Sequence, residues 1–144
     1  MAQRITLIEP GPQALALLER VGLPTDDLHD PVPRAMHALW DGEQLLGVVA
    51  VELHAACGLL RSLAVAPEQR LAGVGSALVA HAEQDAARAG VRDLYLLTTS
   101  AEALFVRLGY TRIAREHAPP QIAATRQFNG LCPDSAVFMH KALG

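Results

Sequence analysis

Between positions 63 and 76 an apolar run carrying Leu63 and Val65 stops at Pro67, a lone Arg70 follows, and Gly73 and Gly75 open a helical pattern. A strand, a short turn and a helix start aim successive backbone N–H groups at one point, where the helix end adds about half a positive charge. The chemistry is anion binding, and a phosphate group fits it best. Arg70 supplies the formal charge, and the glycines let the backbone approach closely. The donors are the main chain of Leu71, Ala72, Gly73, Val74, Gly75 and Ser76. Two nucleotide loops are excluded. A Walker loop requires Gly-Lys-Ser/Thr, whereas Gly75 is followed directly by Ser76; a Rossmann fingerprint requires a third glycine where Leu78 stands. A strand–helix connection whose glycines serve packing alone is the other reading of these residues.

Arg61 lies inside the apolar run 58–65. An arginine there is costly unless it serves a ligand or an ion pair. With Ser62 beside it, it suits the carboxylate of a small molecule, or a structural ion pair with Glu52, and both readings stay open. Glu52 and His54 close the preceding run as titratable groups; Thr25, Asp26, Arg34 and Arg126 are weaker candidates in flanking segments. The 6 histidines make no HxxxH or HxH spacing, and Cys57 and Cys132 fall in no CxxC pattern, so no metal site is indicated and the thiols read as reduced.

The elements that must position these residues follow from periodicity. The 144 residues, 51% hydrophobic and with a net charge of −3, describe a single folded domain over 1–144 with no basic block for nucleic acid. No apolar signal or spanning segment is visible, so a soluble cytoplasmic protein is expected. Strands are expected over 4–9, 34–40, 44–53, 58–65, 91–99, 111–116 and 136–141. Helices are expected over 13–21, 73–89, 101–108 (capped by Ser100) and 122–128, and 23–33 reads as a loop. Asp41-Gly42-Glu43 marks a hairpin, and Gly47 a bulge or close backbone approach. The first four strands then form an antiparallel meander, and the strand–helix–strand passage that follows favours parallel pairing.

Arg70-x-x-Gly73-x-Gly75 after Leu63-x-Val65-x-Pro67 resembles the coenzyme A loop of the GNAT acetyltransferase superfamily, and Leu104-Phe105-x-x-Leu108-Gly109-Tyr110 looks like that superfamily's second motif. The segments 22–28, 58–65 and 118–139 are similar to its arsenic-resistance N-acetyltransferase branch. The resemblance implies an α/β (α+β) fold with a mixed, mostly antiparallel sheet of six or seven strands flanked by helices. It implies acetyl-CoA as co-substrate without a metal, a small amine as acceptor, and a monomer or homodimer that binds neither nucleic acid nor membrane.

The resemblance also assigns roles. The amine attacks the thioester directly in a ternary complex. Leu63, Ala64 and Val65 pair with the pantetheine arm, residues Arg70 to Ser76 hold the pyrophosphate, and Thr98 and Phe105 stand where the family places cofactor-contacting residues. Leu59 occupies the position where many relatives carry a glutamate base, which leaves Glu52 as the candidate base. Phe105 stands where many relatives carry a tyrosine acid, and phenylalanine has no proton to give. Arg61 and Ser62 become candidate acceptor contacts, favouring an amino-acid-like amine, with toxic arsenic compounds within reach. Leu59 and Phe105 also support a different reading, a coenzyme A-binding sensor without turnover.

Overall fold

The computed structural model describes residues 3–69 and 72–144; Arg70 and Leu71, two of the expected phosphate contacts, lie outside the described residues. One seven-stranded sheet is built from β1 (Gln3–Ile8), β2 (Arg34–Asp41), β3 (Gln44–His54), β4 (Cys57–Val65), β5 (Asp93–Thr98), β6 (Thr111–Arg112) and β7 (Val137–Ala142), in the order β1-β2-β3-β4-β5-β7-β6. Every pairing is antiparallel except β4 with β5. Helices α1 (Pro12–Arg20), α2 (Val74–Arg88), α3 (Glu102–Arg107) and α4 (Pro120–Ala123) cover the sheet.

Strand β3 explains its own apolar run. Val49 and Val51 face α2 with Val74, Leu78 and Ala82, while Val48 and Ala50 face α1 with Leu17, Leu18 and Met36. A strand covered on both sides has no solvated face and shows no alternation. Each such side chain contributes roughly 1.5–3 kcal/mol when fully buried. Gly47 combines both expected features. The β2–β3 register shifts beside it, and a Cβ there would stand 2.9 Å from Leu78 Cδ1 and Val74 Cγ1 and 3.0 Å from the Ala64 carbonyl.

Three expectations are corrected. The strand expected over 111–116 shrinks to β6, and the chain then turns through a short 3₁₀ segment at Arg115–His117. Arg115 donates to the carbonyls of Pro133 and Ala136 and lies over the Phe128 ring, which draws this stretch off the sheet. The helix expected over 122–128 ends at Ala123. Thr125 Oγ1 both donates to the Ile122 carbonyl and accepts from the Phe128 amide, a local pattern that competes with helix continuation. Finally, Ser100 does not cap α3; Thr98 Oγ1 accepts the Ala101 N–H at 3.0 Å instead.

Candidate active-site cleft

The site begins with a failure of pairing. Strands β4 and β5 are hydrogen-bonded only from Cys57–Asp93 to Leu59–Tyr95, after which they part. The cause is local to β4. Ala50 opposes Arg61 and Val48 opposes Ala64, so β4 holds one residue more than β3 across this step. Such a bulge bends the strand and raises its twist. At the bulge Ser62 takes φ +58°, the left-handed region that a non-glycine residue occupies at a cost of about 1–3 kcal/mol. Its hydroxyl accepts from Arg61 Nε at 3.0 Å, which helps hold the strained residue.

The resulting cleft measures about 310 Å³. Leu60 to Leu63 form one wall and Leu96 to Thr99 the other, with Ala101 and Phe105 of α3 at one end and Gly22 to Pro24, Gln127 and Cys132 at the other. Beyond Leu59 the β4 backbone has no strand partner on the cleft side. Among the expected cofactor contacts, Leu63, Thr98 and Phe105 line the cleft directly. Ala64 is instead buried against the α1 side of the sheet, and Val65 lies at the end of β4.

Helix α2 starts just past that end. Gly73 forms its N-cap at φ +80°, where a side chain would be strained, and Ala77 is the first amide to reach back to it, at 3.0 Å from the Gly73 carbonyl. No side chain caps this end among the described residues, leaving the Val74, Gly75 and Ser76 amides without an intrahelical partner. Gly75 sits between β4 and α3: a Cβ there would meet Val65 and Leu104 at 3.6 and 3.8 Å, ordinary contact distances. The protein itself therefore leaves room for a side chain at this position.

Arg61 of the first wall belongs to a buried ionic cluster that gathers residues from three segments and of which it alone lines the cleft. Arg61 Nη1 donates to Asp27 and, at 3.0 Å, to Glu52 Oε2; Glu52 Oε1 lies 3.0 Å from His54 Nε2. Burial pushes the Asp27 carboxyl upward, but hydrogen bonding and charge from Arg61, helped by its own backbone and Gln127, hold it below the usual carboxylate range. Burial pushes the Arg61 guanidinium downward, and its two carboxylate partners more than restore it. Glu52 is thus no solvated strand end; it is 4% exposed. Of the two readings of Arg61, the ion pair with Glu52 is present, with Asp27 added.

Two of the weaker candidates, Arg34 and Arg126, have structural tasks. Arg34 Nη2 donates to the Asp30 carbonyl at 2.7 Å, and Arg126 binds Asp30 through Nη1 at 2.8 and 2.9 Å. Tyr110 packs edge-on to Phe105 and donates its hydroxyl to Glu83 at 2.8 Å, and burial, with the Glu83 charge, raises its pKa. Cys132, which sequence reasoning passed over, donates from Sγ to Gln127 Oε1 at 3.1 Å. Burial raises its thiol pKa against the lowering influence of Arg61 and Arg115, so it is held protonated. The segments around Gly22 and Cys132 had a signal in the sequence, since both carry the family resemblance, but nothing there marked them as cleft walls.

Residues 5–110 match the model of the acetyltransferase (GNAT) family, and the chain belongs to that family. An uncharacterized N-acetyltransferase of Chlorobaculum tepidum is 35% identical over 80 residues, 55% of this chain and 51% of that protein. The chain thus spans about half the length of this curated relative. The N-acetylglutamate synthase of Neisseria gonorrhoeae, solved with coenzyme A and N-acetyl-glutamate, superposes with a TM-score of 0.78 at 19% identity, over 98% of this chain and 35% of that one. A GNAT acetyltransferase from Staphylococcus aureus gives a TM-score of 0.77 at 15% identity, covering 98% and 100% of the two chains. The PaiA N-acetyltransferase of Thermoplasma acidophilum, solved with coenzyme A, gives 0.70 at 13% identity over 99% of each. These likenesses establish the fold. No described helix is long and apolar enough to cross a membrane, and no group of three potential metal ligands occurs among the described residues.

Proposed function

We propose that the chain is a single acetyl-CoA-dependent N-acetyltransferase domain that acetylates the amine of a small, amino-acid-like acceptor. The observation that carries this reading is the parting of β4 from β5, which opens an unpaired backbone edge beside the uncapped start of α2. A peptide-like pantetheine arm can pair along Leu63 to Val65, while its pyrophosphate sits on residues Arg70 to Ser76. Thr98 and Phe105 wall the thiol end. A backbone amide near Leu63 to Val65 receives the thioester oxygen as it gains charge.

In the reaction the amine nitrogen bonds to the thioester carbon, the carbon–sulfur bond breaks, and the amine's surplus proton leaves. Glu52, which stands behind Arg61 and does not itself line the cleft, is our candidate for the group that accepts it through an intervening water, with partly exposed His54 linking it to solvent. The thiolate takes its proton from water, because neither Phe105 nor the occupied Tyr110 supplies one. A cytoplasmic setting belongs to the same reading. The arsenic-resistance resemblance puts arsenic-containing amino-acid analogues among the acceptors to try.

Thiol release from acetyl-CoA across an amine panel tests this. Turnover on at least one small amine is expected. The lack of a phenol in the cleft favours one other reading, a coenzyme A-binding module without catalysis, which acetyl-CoA binding with no thiol release would support.

A further inference from the structure

Arg61 is the only charged side chain lining the cleft among the described residues. Two of its three guanidinium nitrogens are committed, Nε to Ser62 and Nη1 to Asp27 and Glu52; Nη2 is buried and has no partner among the described residues. Gln127 also lines the cleft; its buried amide nitrogen makes no close hydrogen bond among the described residues, although Gln127 helps keep Asp27 ionised. An amide nitrogen carries two N–H groups, so favouring Asp27 with one leaves the other. A buried donor left unmatched is expensive, and more so on a charged group.

The charge of the cluster decides what such donors can receive. Asp27 and Glu52 contribute two negative charges against the single positive charge of Arg61. With His54 neutral the sum is negative, and with His54 protonated it is zero. Cations on neighbouring segments are bound elsewhere: Arg34 and Arg126 at Asp30, and Arg115 at the carbonyls of residues 133, 134 and 136. Among the described residues the cleft therefore offers hydrogen-bond donors without net positive charge. An entering carboxylate would lose its water for a guanidinium that is already neutralised. A neutral carbonyl oxygen meets the same donors without that penalty, and the negative cluster favours the arrival of an ammonium group.

We propose that the acceptor is an α-amino amide, whose neutral carbonyl oxygen is received by Arg61 Nη2 and Gln127 Nε2, and that free α-amino acids are selected against. This rests on the transferase reading above and narrows its amino-acid-like class, setting the amides ahead of free amino acids, arsenic-containing ones included. The test compares L-alanine, L-alaninamide and isopropylamine as acceptors, by thiol release from acetyl-CoA, with rates corrected for the unprotonated fraction of each amine. The amide is expected to exceed the free acid in kcat/KM by about tenfold or more, as a hydrogen bond to a charged donor allows. Asp27→Asn adds one positive charge to the cluster and should narrow that ratio at least about threefold. Free acid equal to or better than amide in the wild-type protein overturns the inference while leaving the transferase reading intact. So does isopropylamine matching the amide, since the oxygen would then go unread. Acetyl-CoA binding with no thiol release from any of the three overturns the transferase reading for such amines and this inference with it. The wild-type comparison decides the matter even if Asp27→Asn fails to fold.

Discussion

At the scale of single residues, the Asp27–Arg61–Glu52 cluster carries unequal risks. Replacing Arg61 with Met strands two buried carboxylates, whereas Asp27→Asn leaves Arg61 still paired with Glu52. Urea unfolding should show the first variant destabilised by about 3–5 kcal/mol and the second by distinctly less. Equal losses would mean that the Glu52 contact contributes little. His37 gives a pH signature. It is 1% exposed, neither ring nitrogen makes a hydrogen bond, and Asp85 stands 3.7 Å away on α2. Burial pushes its pKa down; Asp85 only partly opposes this, and His81 reinforces it. The unfolded histidine, near about 6.5, thus takes up a proton at higher pH than the folded one. The stability from this site is complete above that value and is lost as pH falls toward the folded pKa. The melting temperature should drop between pH 7.5 and pH 5, and His37→Leu should flatten that slope. A slope unchanged by the substitution would assign it to other groups.

Among the elements, the start of α2 separates folding from ligand binding. A methyl group at Gly75 meets only ordinary contacts, while any side chain at Gly73 must adopt φ +80°. If the proposed phosphate site is right, Gly75→Ala should therefore keep the melting temperature and weaken coenzyme A binding, measured by calorimetry, about tenfold or more, because the added methyl would crowd the pyrophosphate against the helix start. Gly73→Val should lose both. Unchanged affinity in Gly75→Ala would move the phosphate site away from α2. What the sequence made legible at this scale tracks how local each cause is. The hairpin at Gly42, the helix start at Gly73 and the doubly covered β3 are written in neighbouring residues. The short β6 and α4 are not, because Arg115 and Thr125 redirect the chain through carbonyls and amides that periodicity does not register. The partnership of Asp27 with Arg61 joins positions 34 residues apart, and the segment 23–33 read only as a loop. The glycine-flanked start of α2 was legible as a motif; the cluster around Arg61 needed the fold.

For the molecule as a whole, the order β5-β7-β6 means that the last strand of the chain enters between two earlier ones. Strand β7 pairs with β5 along all six residues of each, and β6 has no other strand partner. Ending the chain at Asp134 should leave the edge of β5 bare, release β6 and convert a monodisperse protein into one that aggregates, as seen by size-exclusion chromatography and light scattering. A truncated chain that stays compact and monodisperse would show that β5 tolerates an open edge. Synthesis meets the same condition. A nascent chain whose residues beyond 134 are still inside the ribosome can assemble the β1–β4 meander and dock α2, yet one wall of the cleft stays half-paired. The β5 wall of the cleft is completed only when β7 emerges and is inserted beside it.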